Sequence, residues 1–148
     1  EIGKFDCERL FKTISYSDCV AARTLRAIVQ RFLHGIDLRG ADLACTFLFK
    51  ADLRGVILSD SALIGTILSE VNLTDADLRG ADLHSADLRG ANLHSADLNN
   101  TNMSDIRWDE ETKWDGVRGW RTAKNLPETL RQQLEEMERQ QGDESIES

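Results

Sequence analysis

A five-residue repeat governs most of the chain. Leucine or methionine occupies every fifth position through fourteen consecutive slots, from Leu38 to Met103. Two residues before each of them lies a small or β-branched residue, most often alanine, and Asp or Asn usually stands between the two. The motif is most regular in "ADLRGADLHSADLRGANLHSADL", residues 76–98. Such a period must be matched by the fold before anything else is considered.

Neither regular secondary structure fits a spacing of five. In an α-helix this step rotates the leucine by about 140°, so the apolar residues would spread around the whole surface. The recurring glycines would each cost a helix interior about 1 kcal/mol. In a continuous strand an odd period places every second leucine on the opposite face. The chain must therefore turn once in each repeat.

A square coil with one corner in every repeat satisfies the pattern. On a short extended segment residues two apart point the same way, so Ala81 and Leu83 face inward and Asp82 faces outward. The last two positions of a repeat, such as 79–80, carry turn-forming residues that bend the chain. If each bend is near a right angle, four repeats close one coil, and residues twenty apart stack. Four leucines then form one ladder: Leu38, Leu58, Leu78 and Leu98.

These residues resemble the pentapeptide repeat family, whose members fold as a right-handed quadrilateral β-helix. The resemblance covers residues 36–105. It is carried by the run 76–98, whereas "TFLFK", "VILSD", "SALIG" and "TILSE" keep the leucine and lose the Asp or Asn. The resemblance implies a β-solenoid of about 3.5 coils, roughly 17 Å tall at a spacing of about 4.8 Å. It also suggests a bacterial origin.

The segments on either side of the repeat are predicted to be α-helical caps, because the open ends of a solenoid expose core and unpaired backbone. Residues 1–35 form the N-terminal cap. Two amphipathic patterns lie within it. The first comprises Cys7, Leu10, Phe11 and Ile14, and the second comprises Leu25, Ile28, Val29, Phe32 and Leu33.

Residues 106–141 form the C-terminal cap, and residues 142–148 are predicted to be a disordered tail. Trp108 falls on the next central slot and is expected to close the last partial coil. Pro127 suits the first turn of a helix. The apolar stripe of that helix comprises Leu126, Leu130, Leu134 and Met137. We expect it to pack on the end of the coil or to pair with its twin in a homodimer.

Charge differs between the segments. The net charge is +2 in residues 1–35, −6 in residues 36–105 and −4 in residues 106–148. Acidic coils argue against direct nucleic-acid binding. The small basic cluster of Arg23, Arg26 and Arg31 is interpreted as the solvated face of its helix rather than as a binding patch.

Composition indicates a single domain of ordinary size. No apolar run approaches the ~20 residues that span a membrane, so no membrane partner is expected. No signal peptide is visible, although the sequence begins at Glu1 and an upstream segment can be missing. Three cysteines, Cys7, Cys19 and Cys45, show no framework spacing, which favours a reducing cytoplasm.

The sequence offers no catalytic, metal or cofactor site, and we expect a protein that is not an enzyme. His84 and His94 are two repeats apart, so a square coil points them to opposite sides, away from a shared metal ion. His34 lies at a predicted helix end. The aspartates recur because the repeat recurs, and the glycines recur at turns rather than before a helix. No cofactor is therefore expected.

Two functions fit this pattern. The first is a protein–protein interaction or scaffold module, in which a rigid prism presents side chains to a protein partner. The second follows from the resemblance alone, since some pentapeptide repeat proteins are DNA mimics that bind type II topoisomerases such as gyrase. Arginines interrupt the acidity on three sides of a short stack, which favours the scaffold. The four arginines are Arg39, Arg54, Arg79 and Arg89.

One side of the prism is a candidate contact surface. Phe47 and Phe49 flank the inward Leu48 and should both point outward, with Ile67 stacked against Phe47. Residues 87–89, one coil later, give this patch a polar border. Clustered exposed apolar groups with such a border usually mark a contact site. The alternative is that the N-terminal helices fold down and cover the patch.

Overall fold

The computed structural model describes residues 33–144, and its repeat region is a coil of single parallel bridges. Asp37 bridges Ile57, Ile57 bridges Asp77, and Asp77 bridges Asp97, each at a spacing of twenty residues. The other three sides show the same spacing as far as Arg107. Residues twenty apart therefore stack on one side, as the five-residue period predicts.

A left-handed backbone conformation marks every corner of the coil. Each fifth residue from Gly35 to Asp105 has a φ between 54° and 67°. Glycine, Asn and Asp tolerate this region well. Lys50 and Glu70 are less usual there, and their side chains, stacked on one corner, form an exposed ion pair at 3.0 Å. The regular return of this conformation is what closes the square.

In a regular repeat that lies between two other coils, every backbone N–H has an acceptor. In the repeat 76–80, three N–H groups bond to carbonyls of neighbouring coils at 2.9–3.0 Å. The N–H of Ala76 closes the corner on the carbonyl of Leu73 at 3.0 Å. The N–H of Arg79 donates to Oδ1 of Asp77 at 3.1 Å. A buried or half-buried coil needs this complete pairing, because an unsatisfied N–H is costly.

The bond from the Arg79 N–H to Asp77 Oδ1 explains why Asp or Asn recurs before the central leucine. All ten repeats with Asp or Asn before the central residue use its Oδ1 to accept the N–H two residues later, at 3.0–3.3 Å. This is the Asx turn, in which a short side chain stands in for a backbone acceptor. The outward carboxylates are therefore part of the corner.

The centre of the coil is a set of stacked leucines. Leu58, Leu78 and Leu98 are all fully buried, which confirms the predicted ladder at these positions. The slots two residues earlier hold alanine, valine, serine or threonine, and isoleucine at position 36. Where a hydroxyl enters the core it finds a carbonyl, as Thr101 Oγ1 does on Leu78 at 2.7 Å. The buried hydroxyls of Ser61, Thr66 and Thr101 each donate to a backbone carbonyl in this way.

The bridges continue past residue 105, where the regular repeat ends. The spacing becomes 21 residues at Asn92–Lys113 and 22 at Asn102–Lys124, so extra residues enter the coil. Asp109 accommodates the first of them, because its Oδ1 accepts the N–H of Gly90 at 2.9 Å. Trp108 is partly buried against the core. The sequence placed the end of the coil earlier because the leucine period disappears here.

The C-terminal helix α1 spans Glu128–Glu144, preceded by a short 3-10 helix at Trp120–Thr122. Leu130 and Leu134 of α1 are buried in the same cluster as the coil leucines. Glu138 accepts hydrogen bonds from Trp120 Nε1 at 2.8 Å and from Arg121 Nη1 at 2.6 Å. These contacts fasten α1 to the end of the coil.

Other predictions about the flanks have different outcomes. Residues 142–144 are helical, although the sequence assigned them to a tail. The predicted N-terminal helices fall almost entirely within residues 1–32, outside the described residues. Within the described part of the chain, no helix has the length and apolarity to cross a membrane.

Three repeats contain an Asp–Arg pair in which the arginine is bidentate. In the most buried pair, Arg89 donates from Nε to Oδ1 of Asp87 at 2.8 Å and from Nη2 to Oδ2 at 2.6 Å. The Asp87 side chain is only 5% exposed. The bonds from Arg89 hold the pKa of Asp87 below its usual range. Arg54–Asp52 and Arg79–Asp77 repeat this geometry in more exposed surroundings.

We expect Leu78→Ala to lower the free energy of unfolding by about 2–5 kcal/mol, because it opens a cavity between Leu58 and Leu98. Leu78→Asp should prevent folding, since a charge would be buried without a partner. Circular dichroism with urea denaturation measures both effects. A native and equally stable Leu78→Asp protein would contradict the buried ladder.

We expect Leu134→Ala to lower the free energy of unfolding by about 2–5 kcal/mol, because this side chain of α1 is buried in the core cluster of the coil. Gln133→Ala, at the exposed neighbouring position, is the matched control and should leave stability unchanged. Light scattering measures the molecular mass of both variants and so tests whether α1 forms the predicted homodimer. Equal stability of the two variants would mean that α1 does not pack on the coil in solution.

We expect Asp87→Asn to be less stable than the parent protein by about 1 kcal/mol at pH 7. Asparagine keeps the Asx acceptor but loses the charge that binds Arg89. Because the folded pKa of Asp87 is lowered, its contribution is present above the unfolded value of about 3.9 and is lost as the pH falls through the folded pKa. The difference between the proteins should therefore vanish at low pH.

Urea denaturation at several pH values measures this difference. Arg89→Gln serves as the control, because it removes the partner and should abolish the pH-dependent part of the Asp87→Asn effect. A difference that stays constant from pH 7 to the acid limit would show that the Asp87–Arg89 pair adds nothing to stability.

Candidate protein-binding surface

The structure places Phe47, Phe49 and Ile67 on one side of the coil. Phe47 bridges Ile67, and Ile67 bridges Asp87. The Phe47 side chain is 60% exposed, and Phe49 and Ile67 are partly buried. The two phenyl rings lie 6.0 Å apart at an interplanar angle of 44°. The bridge register thus places Phe47 and Ile67 in adjacent coils on one side, with Phe47 exposed, and the alternative cover, residues 1–32, lies outside the described residues.

Charged groups border the patch. The Asp87–Arg89 pair lies one coil beyond Ile67, and Arg107 stands 4.0 Å from Asp87. At the adjoining corner Lys50 Nζ lies 5.1 Å from the centroid of the Phe49 ring, close enough for a cation–π contact. The patch therefore has an aromatic centre and a charged border.

The patch belongs to a wider apolar band that sequence reasoning missed. Four of the five repeats in residues 46–70 lack the Asx residue and carry an apolar one instead: Phe47, Ile57, Ala62 and Ile67. We use "apolar band" for the five large side chains Phe47, Phe49, Ile57, Ile64 and Ile67. Ile64 is 38% exposed. The band spans three sides of the coil. In the sequence it is indicated by the loss of Asp or Asn from these repeats.

The corners under the band keep the geometry of the regular repeats. Asp60, Gly65 and Glu70 have φ values of 55–62°. The coil-to-coil bonds are also retained, for example Leu68 N–H to the carbonyl of Asp87 at 2.8 Å. Backbone pairing therefore holds the frame where the side-chain acceptor is missing, and the apolar side chains are presented from a regular scaffold.

Several histidines and carboxylates of residues 33–144 make structural contacts. His84 Nδ1 bonds to Ser104 Oγ at 2.8 Å, and the bridge register places His94 on the opposite side of the coil. Among residues 33–144, no group of His, Cys, Asp or Glu is arranged to hold a metal ion.

The arginine pairs divide the charged surface. Three sides of the coil carry arginines: Arg39 and Arg79 lie on one side, Arg54 on the second and Arg89 on the third. Each arginine pairs with an adjacent aspartate and neutralises part of the negative charge of its side. In the described residues, the fourth side has no arginine. Its acidic residues are Asp42, Asp82 and Asp105, and Lys124 lies at its C-terminal end.

Comparison with protein families gives one match that covers the coil. Residues 33–69 and 66–105 match the model of pentapeptide repeats, in eight copies. A comparison with curated protein sequences gives no match.

Several solved structures are similar to this chain. HetL from the cyanobacterium Nostoc, described as a pentapeptide repeat protein involved in heterocyst differentiation regulation, is 26% identical with a TM-score of 0.56. The match covers 59% of this chain and 40% of HetL, so the chain spans well under half the length of that relative.

Two other pentapeptide repeat proteins match with lower structural scores. One, from the thylakoid lumen of Arabidopsis thaliana, is 31% identical with a TM-score of 0.42, covering 64% of this chain and 66% of its own. The other, Rfr23 from the cyanobacterium Cyanothece, is 34% identical with a TM-score of 0.32, covering 60% and 63%.

The five-residue period, the twenty-residue bridge register, the family match and the likeness to HetL agree with one another. The chain belongs to the pentapeptide repeat family, and its coil is a right-handed β-helix.

Proposed function

We propose that this chain is a non-enzymatic protein–protein interaction module, and that the apolar band around Phe47, Phe49 and Ile67 binds a protein partner. The proposal rests on the positions at which apolar residues stand in place of Asp or Asn in the repeat. Four of the five repeats in residues 46–70 give up the Asx acceptor, and each of the four carries an apolar residue there. A change that weakens the corner and adds outward apolar surface is explained most simply by contact.

The physical character of the band supports this function. An aromatic pair with a charged border resembles the anchors of protein interfaces, where large rigid side chains contribute most of the binding free energy. Phe47 is more than half exposed on a frame held by coil-to-coil hydrogen bonds. Little conformational entropy would be lost when such side chains are bound.

The likeness to HetL agrees with an interaction role. HetL is described as involved in the regulation of differentiation. We extend a regulatory role through protein contact to this chain. A bacterial cytoplasm, favoured by the sequence, is part of the same proposal.

A second candidate is a DNA mimic that modulates a type II topoisomerase. The side that carries Asp42, Asp82 and Asp105 favours it, because no arginine interrupts the acidity there in residues 33–144. The Asp–Arg pairs on the other three sides weaken it. A gyrase supercoiling assay separates the candidates, since inhibition supports the mimic and no effect at a large molar excess removes it.

We expect the double change Phe47→Ser with Phe49→Ser to reduce partner capture from native cell extract by about tenfold or more, because both aromatic anchors are lost. The melting temperature should move by no more than a few degrees, since Phe47 is largely exposed. Pull-down and thermal denaturation measure the two effects.

Asp37→Asn with Arg39→Ser is the matched control. It changes the same two flanking positions of another first-coil leucine, keeps the Asx acceptor and should retain partner capture. If the Phe47 and Phe49 variant melts many degrees lower while partner capture survives, the patch is internal packing and the contact surface lies elsewhere.

A further inference from the structure

Four repeats of the coil lack the acceptor that the corner N–H uses elsewhere. Where Asp or Asn precedes the central residue, its Oδ1 accepts the N–H two residues later, as Asp77 does for Arg79 at 3.1 Å. In the repeat 56–60 this position is held by Ile57. Among residues 33–144 the N–H of Ser59 therefore has no acceptor. Because a backbone donor needs a partner, the acceptor for this N–H must come from outside the coil.

Ser59 is buried although its polar groups are not used by the coil. It is only 7% exposed, whereas Ile64, which follows Ala62 in the same way, is 38% exposed. The Ser59 hydroxyl likewise has no hydrogen-bond partner among residues 33–144. Ser59 lines a groove of about 550 Å³ that runs along one corner of the coil. The groove thus contains a buried residue with two unused hydrogen-bond donors.

Arginines lie on both sides of Ser59 and also line the groove. Residues twenty apart stack, so Arg39 lies one coil before Ser59 and Arg79 one coil after it. Their backbones are about 10 Å apart at a spacing of about 4.8 Å per coil. Asp77 binds Nε and Nη2 of Arg79, which leaves Nη1 without an acceptor within the described part of the chain. A small acceptor in the groove therefore has guanidinium groups on either side.

This set of donors favours a carboxylate over a neutral acceptor. In the repeats, each arginine that directly follows the central leucine has aspartate, and not asparagine, two residues before it. The four pairs are Asp37–Arg39, Asp52–Arg54, Asp77–Arg79 and Asp87–Arg89. One carboxylate then serves the corner N–H and the guanidinium together, and such charged hydrogen bonds are the stronger ones. Asp60 also lines the groove and opposes a negative ligand, and Lys124 offsets that charge.

We propose that an acidic side chain of a protein partner supplies the missing acceptor. Its carboxylate accepts hydrogen bonds from the N–H and the hydroxyl of Ser59, between Arg39 and Arg79, where aspartate would stand in a regular repeat. The inference rests on the proposed function of the apolar band and adds the chemistry of the partner. Ile57 belongs to the band and lies two residues from Ser59. A partner segment with an apolar residue next to an acidic one therefore fits both features.

The test follows the backbone amide of Ser59 in NMR spectra of the full chain. The probe is acetyl-Leu-Asp-amide, and acetyl-Leu-Asn-amide is its neutral counterpart. The acidic probe should move the Ser59 amide proton downfield in a saturable manner, and the neutral one should bind at least about fivefold more weakly. Ile64 is the internal control. Its N–H also lacks an Asx acceptor, but Ala44 and His84 flank it in place of arginines, so it should not respond.

Variants at position 57 show whether the missing acceptor is the cause. Ile57→Asn supplies that acceptor within the chain, so it should raise the melting temperature by a few degrees and abolish the response of the Ser59 amide. Ile57→Ala is the matched control. It removes the same apolar side chain and supplies no acceptor, so the Ser59 amide should still respond to the acidic probe, with weaker binding.

Three outcomes would overturn the proposal. The first is a response of the Ser59 amide that persists in Ile57→Asn. The second is an equal response to inorganic phosphate at the same ionic strength. The third is an equal response to acetyl-Leu-Leu, whose only carboxylate is its C-terminus. These measurements need no cell extract, so a failure of partner capture alone would overturn the proposed function and leave the carboxylate site standing.

Discussion

Backbone hydrogen bonding from coil to coil is the constraint on which the rest of this structure depends. Each repeat must return the chain to register after twenty residues, and the left-handed corner at every fifth residue makes this possible. The buried leucines follow from the same constraint, because a square coil directs one side chain per repeat to the axis. Leucine fills that space, and the alanine slots leave room for it.

The residue before each central leucine can accept the hydrogen bond that stabilises the corner, or it can supply apolar outer surface. One side chain cannot do both equally well. Asp or Asn there accepts an N–H bond, a contribution of about 0.5–1.5 kcal/mol. Phe47, Ile57 and Ile67 supply apolar area in its place. The coil tolerates the exchange because three of the five N–H groups in a repeat bond to neighbouring coils. The redundancy of the backbone pairing therefore lets one region of a regular repeat acquire a distinct surface.

The sequence was sufficient for the coil because its period admits one geometry. Leu78 and the stacking of Phe47 on Ile67 follow from counting in steps of twenty. It was insufficient beyond residue 105, where single inserted residues shift the register and Asp109 replaces a backbone carbonyl through a contact that no local pattern announces. Ile57 and Ile64 were overlooked for another reason. Their repeats differ from the others by the absence of Asp or Asn, and the sequence alone does not show that this residue accepts the hydrogen bond of the corner.

The two ends of the coil differ in a way that connects its architecture to its function. At the C-terminal end Trp114, Trp120 and the stripe of α1 join the core cluster, so that end is closed by its own chain. At the other end the central residues Leu33, Leu38 and Leu43 are only partly buried. The apolar band lies in the first two coils, beside these partly buried leucines, rather than next to the C-terminal helix. The apolar outer surface of the coil therefore lies at the end where its own core is less buried.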